Sequence, residues 1–246
     1  KDINLAIAQK LRKKLVDLGY DAVLTRKDDT FLELEERTGI ANKDGDLFIS
    51  VHCNSTDKKG DKNASGIEVY YADVASDKGS ARLAAIENQT SPKHMSELET
   101  ILEGLARNEF TVKSAELATA VQKRLVDDVK KPYPDLKTHA NGVKSALFYV
   151  CLTAHMPAIL VETSFISNPK EEKRLADPRY QQVIADSIAG AADAWLDGQA
   201  MSGAKRTLVA APEKEKDPPS TPAPTPTPGG SGEGKESHKH RAEKRH

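Results

Sequence analysis

The run PAILVETSFISNP, residues 157–169, restricts the fold more than any other stretch of the chain. Ala158, Ile159, Leu160 and Val161 are apolar at consecutive positions, which fits a strand covered on both faces rather than one with a wet side. Such a strand belongs in the middle of a sheet with helices above and below. It ends on Glu162, and a carboxylate at the end of a central strand is costly to desolvate without a partner. A second strand ends in a similar way: Leu47, Phe48, Ile49 and Val51 lead into His52, Cys53 and Asn54. In open α/β sheets, ligands sit just beyond the carboxyl ends of strands. A strand-end imidazole and a strand-end carboxylate suit metal-assisted hydrolysis. The neutral imidazole holds the metal and the carboxylate takes a proton from water. The structural alternatives are a satisfied histidine at position 52 and an ion pair between Glu162 and Arg37 or Arg26.

The rest of the chain alternates between helix and strand patterns. Ile3, Ile7, Leu11, Leu15 and Leu18 share one face of a helix that Gly19 stops. The chain opens inside that helix without an initiator methionine or signal peptide, so it reads as a piece of a longer protein. Residues 21–26 read as a short strand, the stretch after Phe31 as a helix ending near Asn42, and 66–73 as another strand. A long helical region covers about 76–131, interrupted at 90–94. Residues 146–150 read as the strand before 158–162. The helix 178–196 closes the body, burying Tyr180, Val183, Ile184, Ile188, Ala191 and Trp195. Strands separated by helices predict a single layered α/β domain over residues 1–198, with a largely parallel twisted sheet flanked by helices.

Residues 199–246 differ in kind. They are rich in Pro, Thr, Gly and charge, lack apolar periodicity, and are expected to form a disordered tail. Basic residues outnumber acids nine to six there, yet the whole chain carries a formal charge of −1, which gives no reason to expect nucleic-acid binding. No apolar run reaches transmembrane length. Two cysteines, Cys53 and Cys151, do not make a disulfide framework.

The run LTRKDDTFLELEERTGIANKDGDLFISVHCN, then SGIEVYY, then MPAILVETSFISNPKEEKRL resembles the zinc-dependent N-acetylmuramoyl-L-alanine amidases of the Amidase-3 type. The resemblance runs from Lys1 to about Leu196. It implies hydrolysis of the peptidoglycan amide between the lactyl group of N-acetylmuramic acid and L-alanine, at a periplasmic or extracellular location. His52, in its Ser-x-His-x-Asn setting, matches one zinc ligand, and Glu162 matches the catalytic glutamate that activates water and returns the proton to the leaving nitrogen. The family's other two ligands, a histidine and a glutamate, would lie upstream of Lys1, so the chain as written is expected to be inactive by itself. Asn54 is expected to shape the turn beside His52, and Arg37 to pair with Glu68 or another sheet-end carboxylate. Cys53 reads as a small buried thiol.

His94, His139 and His155 read as structural, although His155 is near enough to Glu162 in sequence to brace it. His238, His240 and His246 belong to the tail and could bind metals loosely. In the regulated, cell-division branch of the family, an inserted segment covers the zinc site until a protein activator displaces it. Here residues 96–110 read as an added helix in that position, with Glu97, Glu99 and Glu103 as candidate plugs. The alternative is a helix that packs on the domain. A non-catalytic cell-wall binding module and a different zinc peptidase are the competing functions.

Overall fold

The structure, a computed structural model, describes residues 1–56, 63–91, 109–136 and 142–201. The expected helix at 96–110 as far as residue 108, His94, His139 and the tail beyond residue 201 with its histidines lie outside the described residues. The elements are α1 (Asp2–Asp17), α2 (Leu34–Asp44), β1 (Phe48–Asn54), β2 (Glu68–Tyr71), α3 (Lys78–Glu87), α4 (Glu109–Lys130), β3 (Val143–Ser145), α5 (Tyr149–Leu152), β4 (Ala158–Phe165), α6 (Pro169–Leu175) and α7 (Pro178–Met201). The strands form one sheet in the order β1-β4-β2-β3. Two of its pairings, β1 with β4 and β2 with β3, are parallel, whereas β2 runs antiparallel to β4.

β4 is buried along its whole length, as its unbroken apolar run requires. Alternate side chains feed two cores. On one face Ile67, Val69, Ile159 and Val161 meet Ile7 and Leu11 of α1, Leu117, Val121 and Leu125 of α4, and Ile184 and Ile188 of α7. On the other, Phe48, Tyr70 and Leu160 meet Leu83, Ala84 and Ala85 of α3, with Leu34 and Ala41 of α2 packed alongside. The layered architecture is therefore the expected one, and Gly19 stops α1 in a left-handed conformation at φ 93°.

Two local readings change. Residues 21–26 form no strand; Val23 is 72% exposed and the segment is tied down through Arg12, which donates to the Ala22 carbonyl. The strand expected at 146–150 is displaced: β3 ends at Ser145 and the chain turns into α5. The cause is Asn88, whose amide donates to the Leu147 carbonyl at 2.6 Å and accepts from the Tyr149 N–H at 2.8 Å. Those apolar residues are buried in either conformation, so periodicity alone did not distinguish them. Between β4 and the closing helix, α6 is an added short helix. Asn168 caps it by accepting from the Lys170 and Glu171 N–H groups, and Pro169 opens it.

Glu171 braces the sheet end below the site. Its buried carboxylate accepts from the Gly66 N–H at 2.9 Å and the Phe165 N–H at 2.7 Å. Glu171→Ala leaves both donors buried without an acceptor and should lower unfolding free energy by about 3 kcal/mol. Urea denaturation checks this; a midpoint unchanged from the parent would show the brace to be redundant.

Candidate metal centre

The strand register brings three functional side chains into one row. Across the sheet His52 of β1 lies opposite Glu162 of β4, and Glu162 lies opposite Glu68 of β2. Residues in register share a face, so all three project toward the layer made by α2 and α3. The pairing then slips: Asn54 aligns with Phe165, giving β4 one extra residue beyond the His52–Glu162 pair. A bulge of this kind re-aims side chains at a strand end. The Thr163 hydroxyl, in the bulge, donates to the His52 carbonyl at 2.9 Å and fixes the strand end.

α3 contributes the third member of the cluster. Glu87, its last residue, places Oε2 3.1 Å from Nδ1 of His52. One ligand atom each from His52, Glu87 and Glu162 lie within 4.8 Å of one another. Glu87 was not among the residues singled out from sequence. A signal was present, because an acid in the last turn of a helix opposes the macrodipole, and α3 has no basic residue there to offset it. A residue placed against local preference is a candidate for a tertiary role. Asn88 then pins the end of α3 to the 147–149 turn, which fixes where Glu87 points.

Glu162 is fully buried, and neither carboxylate oxygen has a hydrogen-bond partner among the described residues. The proposed ion pairs do not form. Arg26 donates to the carbonyls of Asp28 and Lys1, and Arg37 donates through Nε and Nη2 to the Leu32 carbonyl. Glu68 is instead satisfied by Asn54 at 3.1 Å, Tyr70 at 2.7 Å and Lys144 at 2.8 Å. Asn54 thus joins the ends of β1 and β2. His155 is exposed; its backbone N–H donates to the Asn42 side chain, and it stands outside the cluster. Cys53 is half-buried beside Thr163, and burial pushes its thiol up to about 11, away from reactivity at neutral pH.

Burial pushes the Glu162 carboxyl up to about 8; His52 pulls against this, while Glu87 and Glu68 add to it. Burial opposes charge on His52, but the hydrogen-bonded Glu87 and the charge of Glu162 hold the imidazole above its ordinary value. Burial likewise opposes charge on Glu87, yet His52 and then Arg37 hold that carboxyl below its ordinary value. An orphaned buried carboxylate beside one imidazole nitrogen and a second carboxylate is a donor set that fits a divalent cation. A cation there would favour the ionised carboxylates and invert the protonation pattern.

A layered α/β domain with such a cluster at the strand ends is the framework of a metal-dependent hydrolase. The comparisons make this specific. The family described as N-acetylmuramoyl-L-alanine amidase (Amidase_3) matches residues 1–194. The chain belongs to this family of enzymes, which hydrolyse an amide of peptidoglycan and so degrade the cell wall. It is 34% identical over 223 residues to the amidase AmiA of Escherichia coli K12, covering 84% of this chain and 72% of that relative. An amidase crystal structure from Clostridium difficile 630 superposes with a TM-score of 0.60 at 30% identity, covering 80% of this chain and 84% of the other. The CwlD amidase of Clostridioides difficile, solved in complex with the GerS lipoprotein, gives 0.58 at 26% identity, covering 80% and 86%.

The buried carboxyl sets a pH dependence for the metal-free protein. Folded Glu162 keeps its proton up to about pH 8, whereas the unfolded chain releases it near the ordinary carboxylate value. Its contribution to stability is full in acid and is lost as pH rises through that window. His52, held above its ordinary value, adds loss in the same direction at the upper end. Melting temperature in a chelator should therefore fall from about pH 5 to pH 8, and fall less for Glu162→Gln, which has no proton to lose. Equal slopes in the two proteins would contradict the burial of Glu162 as an acid.

Proposed function

We propose that Glu162 is the general base of an amidase that cleaves the bond between the lactyl group of N-acetylmuramic acid and L-alanine, in a centre whose metal is zinc. The observation that carries this reading is the buried Glu162 carboxylate with both oxygens free, in register with His52. A carboxyl raised toward neutrality by burial is matched to proton transfer near pH 7. His52 and Glu87 would hold the metal, with Glu162 close enough to share it. Zinc bound there supplies Lewis acidity and lowers the pKa of water toward about 7.

The chain's own residues supply the rest. Glu162 takes the proton from the attacking water and delivers it to the departing alanine nitrogen, so the amine leaves neutral. Burial of the strand end excludes bulk water from the carboxylate and strengthens every charge interaction around it. Thr163 holds the His52 backbone, and Asn54 and Tyr70 hold Glu68 so that its charge stays facing Glu162. Residues 1–198 are assigned to catalysis and 199–246 to a tail; the family match ends at residue 194, in keeping with that division.

The substrate places the protein in the periplasm or outside the cell. No helix among the described residues is long and apolar enough to cross a membrane. Regulation by a protein activator acting on residues 96–110, as in cell division, belongs to the same reading. The clostridial relative solved with a lipoprotein supports a partner at this fold in general terms.

Glu162→Gln should keep the metal and peptidoglycan binding but lose about 10²–10⁴-fold in hydrolysis, the contribution of a positioned base. His52→Ala should lose metal and activity together. Metal analysis and release of stem peptides from purified peptidoglycan check both. Hydrolysis by the Gln variant at the parental rate would make Glu162 a structural carboxylate, and loss of metal in that variant would make it a ligand. Metal content of the chain as it stands tests the ligands expected upstream of Lys1. About one zinc per chain means that the residues of this chain suffice to hold it; none means that residues beyond this chain are required.

A further inference from the structure

The cluster is rich in acids, yet one cation, Arg37, lies on the same side of the sheet with no carboxylate of its own among the described residues. α2 has 11 residues and is about 16 Å long. It passes into β1 through residues 45–47, and β1 rises about 13 Å from Phe48 to His52. A helix joined to the next strand by so short a link returns along it. The first turns of α2 are therefore level with the end of β1. Leu34 and Ala41 pack into the core that α3 also covers, and Thr38 is buried between them. Arg37 falls on that same helical face, half-buried, on the side of the sheet from which His52 and Glu162 project.

Its guanidinium is aimed rather than neutralised. Nε and Nη2 donate to one acceptor, the Leu32 carbonyl, at 3.0 and 2.9 Å. That pair of bonds fixes the plane of the fork and leaves Nη1 without a hydrogen-bond partner among the described residues. No carboxylate lies within ion-pair distance of Arg37 among them either. Lys144, the other cation facing this rung, is committed to Glu68 at 2.8 Å and Asp77 at 3.6 Å. The charge of Arg37 reaches both His52 and Glu87. A fixed cation beside a cation-binding cluster weakens metal binding by Coulomb repulsion. Such a placement calls for an anionic visitor that the acids cannot receive.

Amide hydrolysis provides one. Water adds across the C–N bond; the acyl carbon keeps the oxygen and becomes a carboxylate, and the nitrogen leaves as an amine. We propose that Arg37 is the acyl-side anchor of the substrate: its free guanidinium edge binds the lactyl carbonyl oxygen and, after cleavage, the lactyl carboxylate of the muramoyl product. The substrate then lies with its sugar-lactyl half under the start of α2 and its amine half toward the acids. This inference rests on the amidase reading above and adds the direction in which the substrate lies.

The test is calorimetric binding of N-acetylmuramic acid, the product acid, to the zinc-loaded protein, with zinc affinity and circular dichroism measured on the same samples. Arg37→Gln should bind the acid roughly tenfold more weakly or worse, as loss of a charge-assisted hydrogen bond requires. Its zinc affinity should stay equal or rise, because a repelling charge is gone. Arg37→Lys keeps the charge without the planar fork and should fall between the two. Unchanged acid binding in Arg37→Gln overturns the proposal. So does weaker zinc binding, or a variant that fails to fold, since either would make Arg37 a structural tie to Leu32. Hydrolysis of peptidoglycan by the parent is scored separately: a parent that holds its full zinc, binds the acid through Arg37 and is still inactive counts against the amidase reading and not against the anchor.

Discussion

One buried carboxylate that no described residue satisfies governs this structure. Glu162 is delivered by the most apolar strand of the sheet to a position with neither oxygen hydrogen-bonded. An ionised group there is unfavourable until a proton or a metal arrives. The surroundings are arranged to keep that position fixed. Thr163 holds the backbone of His52, Asn54 ties β1 to Glu68 on β2, and Asn88 fixes the end of α3 behind Glu87. Each bond is modest by itself, but together they fix the strand and helix ends around the carboxylate. A buried polar group left unsatisfied in a fixed setting is characteristic of functional sites.

The electrostatics follow from placing three acids and two cations around one rung of the sheet. Glu68 is the satisfied member, with Lys144 and two neutral donors. Glu87 is stabilised as an anion by His52 and Arg37, whereas Glu162 is left to burial. Two carboxylates close together thus acquire opposite tendencies from their settings alone, which is the arrangement that separates a charged ligand from a proton acceptor. Arg37 gives the site a direction that the acids alone lack.

The parts of this design visible in the sequence are those written into local pattern. The apolar runs into His52 and Glu162 marked both strand ends, and the helical spacing from Ile3 to Leu18 marked α1. The layered fold follows from their alternation. What was hidden depends on contacts distant in sequence. Glu87 meets His52 across 35 positions, and only its unfavourable place at a helix end hinted at a role. The strand at 146–150 was misread because Asn88, some 60 residues earlier, diverts the backbone of an equally buried segment. Arg37 was expected to meet a carboxylate, but a carbonyl five residues away captured it first. Glu68, its expected partner, is claimed by Lys144.

The most direct test of the central claim is crystallographic. Crystals of the chain soaked in zinc, with data collected on both sides of the zinc absorption edge, would locate the metal from its anomalous signal. The account predicts one peak in the cluster, about 2.0–2.2 Å from a His52 nitrogen and from carboxylate oxygen of Glu87, within reach of Glu162. A peak elsewhere, or none while His52 and Glu87 keep their hydrogen bond, would contradict it.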